Sequence, residues 1–196
     1  MMPEMTAAEA LEKRRQLVED GFCVIPGVLT PEFTAELRAW SDELLDRLKV
    51  DRKYRYQGSD IHVSTPRRWQ ARGNPEPNER QLPDPIIERL VDWAPTWEAC
   101  RAIGLEQQRP DDSAIILSKP AGGPALYWHQ DFMNWNSPES LAPWPTRIFI
   151  SFYMVDTDRH NGCLKAIPGT HHRRIPLHDQ LPDAHGMEIQ AVEELS

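Results

Sequence analysis

Apolar positions recur with helical spacing in the first half of the chain, and after Pro110 the spacing shortens to that of extended backbone. Thr6 and Glu9 have capping-box spacing ahead of a helix expected over about Ala7–Asp20. Its Leu11, Leu17 and Val18 lie on one side, and Gly21 marks its end. Phe22-Cys23-Val24-Ile25 is a short apolar run between Gly21 and Pro26, consistent with a buried strand. Thr30 as N-cap and Pro31 at the first helical position open a second helix, with Phe33, Leu37, Trp40, Leu44 and Leu48 as its apolar stripe. From Asp51 to Leu82 the pattern breaks down into a polar stretch punctuated by Pro and Gly, read as a long loop. A third helix is expected from Asp84 and Pro85, with Ile86, Ile87, Leu90 and Val91 facing inward and Pro95 stopping it.

Four strands are expected in the second half. Ser113–Ser118 is the first and Ala125–Asp131 the second. Arg147–Val155 is the strongest by its β-branched and aromatic content, and Cys163–Ile167 lies between turns at Asn161-Gly162 and Pro168-Gly169. Helices followed by strands with turn signals describe an α+β chain built around an antiparallel sheet system.

Composition narrows the function classes. With 196 residues and 40% apolar content the chain is long enough for one domain with a real core. A net charge of -8 argues against nucleic acid or an anionic membrane as the main partner. Cys23, Cys100 and Cys163 are far apart, odd in number and without C-x-x-C spacing, so neither a zinc ribbon nor a disulfide framework is expected. The N-terminus lacks an apolar signal region, and no apolar run approaches membrane-spanning length, so a cytoplasmic location is expected.

The chemistry rests on His129-Gln130-Asp131. On an extended segment residues i and i+2 share a face, so the imidazole and the carboxylate can converge on one point. Mixed nitrogen and oxygen ligation with open positions suits non-haem iron(II). A single His-x-Asp is weak evidence, because such a pair is more often an ordinary surface pair. Its surroundings are more specific. Lys119-Pro120, Tyr127-Trp128-His129-Gln130-Asp131-Phe132, Asn161-Gly162-Cys163-Leu164 and Ile167-Pro168-Gly169-Thr170-His171 follow one another in an order, spacing and residue type that resemble the phytanoyl-CoA dioxygenase family, including relatives of ectoine hydroxylase.

The resemblance implies a double-stranded β-helix (a cupin-like jelly roll) preceded by helices. It also implies Fe(II), with 2-oxoglutarate and O2 as cosubstrates, and hydroxylation of a small organic molecule. His129 and Asp131 carry over as metal ligands. Related halogenases replace this carboxylate with a small residue, so Asp131 favours hydroxylation. Lys119 either contacts the keto acid or ends its strand in solvent. Ile115 falls where the family places a residue beside the cosubstrate, and is equally a core residue. Ser151 falls at a cosubstrate-pocket position and, being polar in an apolar run, needs a partner if buried. Trp128, Phe132 and Trp135 either wall the substrate cavity or simply pack. His171 and His172 are read as hydrogen-bonding within their turn rather than as ligands, and Arg67 and Arg68 as a solvated pair.

The chain departs from the family pattern near its end. The resemblance calls for a second His several tens of residues past the hairpin, then an Arg for the far carboxylate of 2-oxoglutarate. No such pair occurs before Ser196, and His178 and His185 lie too close to the hairpin. The expectation is a single oxygenase domain, truncated at its C-terminus. Residues 1–110 would form its helical part and 111–196 the first half of a jelly-roll core whose barrel is incomplete. Alone it would turn over little or nothing. The alternative is a non-catalytic remnant acting as a binding or partner chain. A cupin-like isomerase or sugar-binding jelly roll would lack the Pro-Gly-Thr-His block. Substrate and oligomeric state are not readable from the sequence.

Overall fold

The computed structural model describes residues 5–48, 55–56, 59–64, 84–108, 114–118 and 137–173. The first helix, α1, spans Ala7–Glu19. Its capping box forms as the sequence predicts: Glu9 N–H donates to Thr6 Oγ1 at 3.2 Å and Thr6 N–H to the Glu9 carboxylate at 2.8 Å. At the other end Gly21 takes φ +90°, the left-handed conformation that ends helices at little cost to glycine. Of the expected apolar side, Leu17 packs into the core while Leu11 is 69% exposed.

Helix α2, Pro31–Leu48, is the main support of the core. Thr30 caps it through Phe33 N–H at 3.2 Å, and the helical spacing of its apolar positions buries Phe33, Leu37, Leu44 and Leu45 on one face. Helix α3, Pro85–Val91, follows Asp84 and buries Ile87 against Phe33 and Leu37. The expectation for Pro95 is corrected. The helix ends by Asp92, and Pro95 lies in the first turn of a further helix, α4, Ala94–Ala102. Proline's missing N–H costs nothing there, because first-turn N–H groups have no intrahelical acceptor. Two indoles tie the joint: Trp93 Nε1–H donates to Val28 O and Trp97 Nε1–H to Val91 O, both at 2.8 Å.

Among the described residues the sheet is three-stranded and antiparallel, in the order β1 (Arg55–Tyr56), β2 (Ser59–Ser64), β3 (Ala114–Ser118). β3 matches the expected strand to within a residue. β1 and β2 overturn the reading of Asp51–Leu82 as loop throughout. Ile61 and Val63 alternate with Asp60, His62 and Ser64, the period of a strand, within a segment otherwise dominated by turn residues. Asp60 pairs with Ser118 and Ser64 with Ala114. The sheet therefore joins residues from both sides of position 110. Ile116 carries it into the core, packing with Phe33, Leu37, Leu45 and Ile87.

A second cluster forms around Cys100, Ile103 and Leu105, with Leu17, Cys23, Ile25, Trp97, Trp144 and Ile148 against it. Cys23 and Ile25 turn inward while Phe22 and Val24 stand 43% and 69% exposed, so Phe22–Ile25 is half-buried. It forms no strand, in contrast to the expectation. Arg14 crosses this cluster. Its guanidinium donates to Ile103 O at 3.3 Å and stacks 4.5 Å from the centre of the Trp144 ring.

Arg147–Val155 and Cys163–Ile167 also differ from expectation: neither forms a ladder strand. β-branched and aromatic residues fit a pleated surface, but a strand exists only with a hydrogen-bonded neighbour. Among the described residues none supplies it. The turns expected around this segment do form, with Gly162 at φ +82° and Gly169 at φ +74°.

Candidate metal centre and its surroundings

His129 and Asp131, with Lys119, Trp128, Phe132 and Trp135, lie outside the described residues, as do Arg67, Arg68, His178 and His185. Among the described residues no three His, Cys, Asp or Glu side chains come together to hold a metal ion. His129 and Asp131, one imidazole and one carboxylate two residues apart, supply two of the three ligands in the two-His, one-carboxylate set that Fe(II) accepts.

Two other predicted site positions are described. Ile115 lies in β3, paired with Val63 of the central strand β2. Ser151 lies mid-way along Arg147–Val155, where side chains alternate although no ladder forms. Ile148 packs into the second cluster and Met154 into the first, where Ser41 Oγ lies 3.7 Å from its sulfur. Phe149, Ser151, Tyr153 and Val155 are exposed, Phe149 at 58%. Ser151 lies two residues from each of two exposed aromatic residues. Its hydroxyl is exposed, so the need for a buried partner does not arise. The sequence reading singled out Ser151 but missed Phe149 and Tyr153. A two-residue alternation centred on Ser151 would have found them.

The Pro-Gly-Thr-His block is held by α1. Gly169 N–H donates to Asp20 O at 3.0 Å, His171 Nε2 lies 3.0 Å from Val18 O, and His172 Nε2 reaches the same oxygen. Both histidines form hydrogen bonds, but their acceptor lies on α1 and not within their own turn, where it was expected. Gly21 permits the approach, since a Cβ there would stand 2.5 Å from His171 Nδ1.

All three cysteines are free thiols. Burial pushes the Cys23 and Cys100 thiols above the usual cysteine range, which makes them poor nucleophiles and poor metal ligands at neutral pH. No helix among the described residues is long and apolar enough to cross a membrane.

The sequence profile described as phytanoyl-CoA dioxygenase (PhyH) matches residues 17–194. The chain belongs to the phytanoyl-CoA dioxygenase family. Curated relatives include the ectoine dioxygenase of Nocardia farcinica, 24% identical over 176 residues, which cover 90% of this chain and 56% of that protein. The ectoine dioxygenase of Sphingopyxis alaskensis is 24% identical over 85% of this chain and 51% of its own length. That of Bordetella bronchiseptica is 28% identical over 52% of this chain and 32% of its own. The chain spans about half the length of the first two relatives (56% and 51%). No solved structure matches it. Family membership extends to both halves of the chain, since the matched range begins within α1 and runs past the Pro-Gly-Thr-His block.

Proposed function

We propose that the chain belongs to a non-haem Fe(II)- and 2-oxoglutarate-dependent dioxygenase that hydroxylates a small organic substrate, with His129 and Asp131 as metal ligands. The observation that carries this reading is the family match over residues 17–194, a range that includes both residues within their motif. The fold proposed is one oxygenase domain of double-stranded β-helix type, in a cytoplasmic protein. Residues 1–110 would supply its helical part and 111–196 part of the jelly-roll core.

When bound, Fe(II) supplies the activation of O2 that couples decarboxylation of 2-oxoglutarate to hydroxylation. The balance is R–H + 2-oxoglutarate + O2 → R–OH + succinate + CO2. His129 serves as a neutral imidazole donor, so its coordinating nitrogen must be unprotonated. Asp131 would hold the metal through an anionic oxygen that offsets part of its charge, and its presence favours hydroxylation over halogenation. Ser151 donates its hydroxyl hydrogen to a carboxylate of the keto acid. Lys119 and Ile115 flank the same cosubstrate, Lys119 by charge and Ile115 by apolar contact. Trp128, Phe132 and Trp135 wall off the substrate and keep water from it.

A second reading, a non-catalytic chain that binds a partner or ligand, is favoured by its coverage of only 56% and 51% of those two ectoine dioxygenases. One assay separates the two. In a protein that also carries the second His and the Arg of the family pattern, the enzyme reading predicts succinate formation from 2-oxoglutarate that requires Fe(II) and is stimulated by the right small molecule, whereas residues 1–196 alone form little or none. His129→Ala should lower it at least ~100-fold, as expected on losing a metal ligand. Fe(II) and 2-oxoglutarate binding without any succinate, across a panel of solutes and acyl substrates, would favour the binding chain.

A further inference from the structure

The segment Pro168–Arg173 is fixed to the last turn of α1 by bonds that all end on helix carbonyls. Gly169 N–H reaches Asp20 O at 3.0 Å, while His171 and His172 both aim Nε2 at Val18 O. A carbonyl oxygen only accepts, so both imidazoles must carry hydrogen on Nε2. In the neutral ring that leaves Nδ1 bare. This suits His171, whose Nδ1 is buried with no hydrogen-bond partner among the described residues. Protonating His171 would place a new N–H in that spot with nothing to accept it. The two rings lie with centroids 3.7 Å apart, so His172 stands close enough to oppose a charge on His171.

We propose that this contact is a proton-operated latch: neutral His171, beside His172, holds the 168–173 turn on α1, and protonation of His171 in mildly acidic solution releases it. The charged groups around the pair do not all act in one direction. The hydrogen bond to Val18 O and the charge of Asp20 favour a cation on His171. Glu19, also from α1, is engaged by Arg15, and Glu139 comes from the 138–141 turn packed beside the pair. Arg173 adjoins on the same segment. Against these stand burial and the neighbouring His172. Burial is the largest influence and pushes His171 below the ordinary histidine range. The folded chain therefore takes up this proton less readily than the unfolded one. Docking is fully present above about pH 6.5, and its stabilisation is lost progressively as pH falls below that value.

The test is amide hydrogen exchange of the full chain, followed by NMR at Gly169 and, as a reference, at Leu37 in α2. After correction for intrinsic exchange, Gly169 should lose at least tenfold in protection between pH 7.5 and pH 5.5 while Leu37 keeps its own. In the double variant His171→Gln with His172→Gln, neutral amides at a similar reach can still donate to Val18 O. Gly169 protection there should become independent of pH. The proposal is overturned if Gly169 protection is unchanged at pH 5.5, or if the loss persists in the double variant. It is equally overturned if Leu37 loses protection in parallel, because the event is then global unfolding.

Discussion

Gly104 and Arg14 together make one of the chain's tightest long-range contacts. Gly104 has φ +87°, and a Cβ there would lie 1.5 Å from an Arg14 guanidinium nitrogen. The nitrogen is positioned by Ile103 O and by the Trp144 ring. Gly104→Ala must therefore both strain the backbone and displace Arg14 from Trp144. The expected loss is about 1–3 kcal/mol, the usual cost of a non-glycine residue held in the left-handed region. A lower urea midpoint with an unchanged slope would register it. Arg14→Ala should remove both the stacking on Trp144 and the bond to Ile103 O without straining the backbone, at about 1–2 kcal/mol. The same residue-level logic explains Gly21, where the missing Cβ makes room for His171.

At the scale of elements, what could be read from the sequence divides by whether a segment is stabilised locally or by distant partners. The capping box at Thr6 and Glu9, the Thr30–Pro31 start of α2 and the buried spacing of Phe33, Leu37 and Leu44 all depend on neighbours within a few residues. All of them could be read directly from the sequence. The start of α4 could not, because Pro95 as a stop and Pro95 as a first-turn residue look alike until the preceding helix is known to end at Asp92. Strand pairing is the non-local case. Arg147–Val155 has the best β composition in the chain and forms no ladder among the described residues. The less apolar Ser59–Ser64 is the central strand of the sheet. Of the candidate site, the motif was legible as residue types and order, and Ser151 as a position. The exposure of Phe149 and Tyr153 on either side of Ser151 is not legible in composition, because it depends on which residues of that run the helices cover. The central position of β2 is testable. Ile61→Pro removes an N–H from a strand with neighbours on both sides, and leaving a carbonyl unpaired there should cost about 1–3 kcal/mol. Hydrogen exchange should show β3 amides losing protection, whereas α1 amides keep theirs.

For the whole molecule, the helices and the inward side of Arg147–Val155 share two apolar clusters, while the outward side leaves large apolar groups in solvent. Phe149, Tyr153, Val155, Leu164 and Ile167 are each about half exposed or more. Contiguous exposed apolar surface promotes self-association. Phe149→Lys with Tyr153→Lys should reduce light scattering by the purified chain. Because these side chains bury little, stability should stay within about 0.5 kcal/mol of the parent.

The most direct test of the central claim is Fe(II) affinity, measured by anaerobic titration with and without 2-oxoglutarate, for the parent chain and for His129→Ala and Asp131→Ala. The account predicts that 2-oxoglutarate tightens Fe(II) binding in the parent, and that each substitution weakens binding at least ~10-fold and removes the effect of the keto acid. Fe(II) binding that is equally tight in all three chains would contradict it.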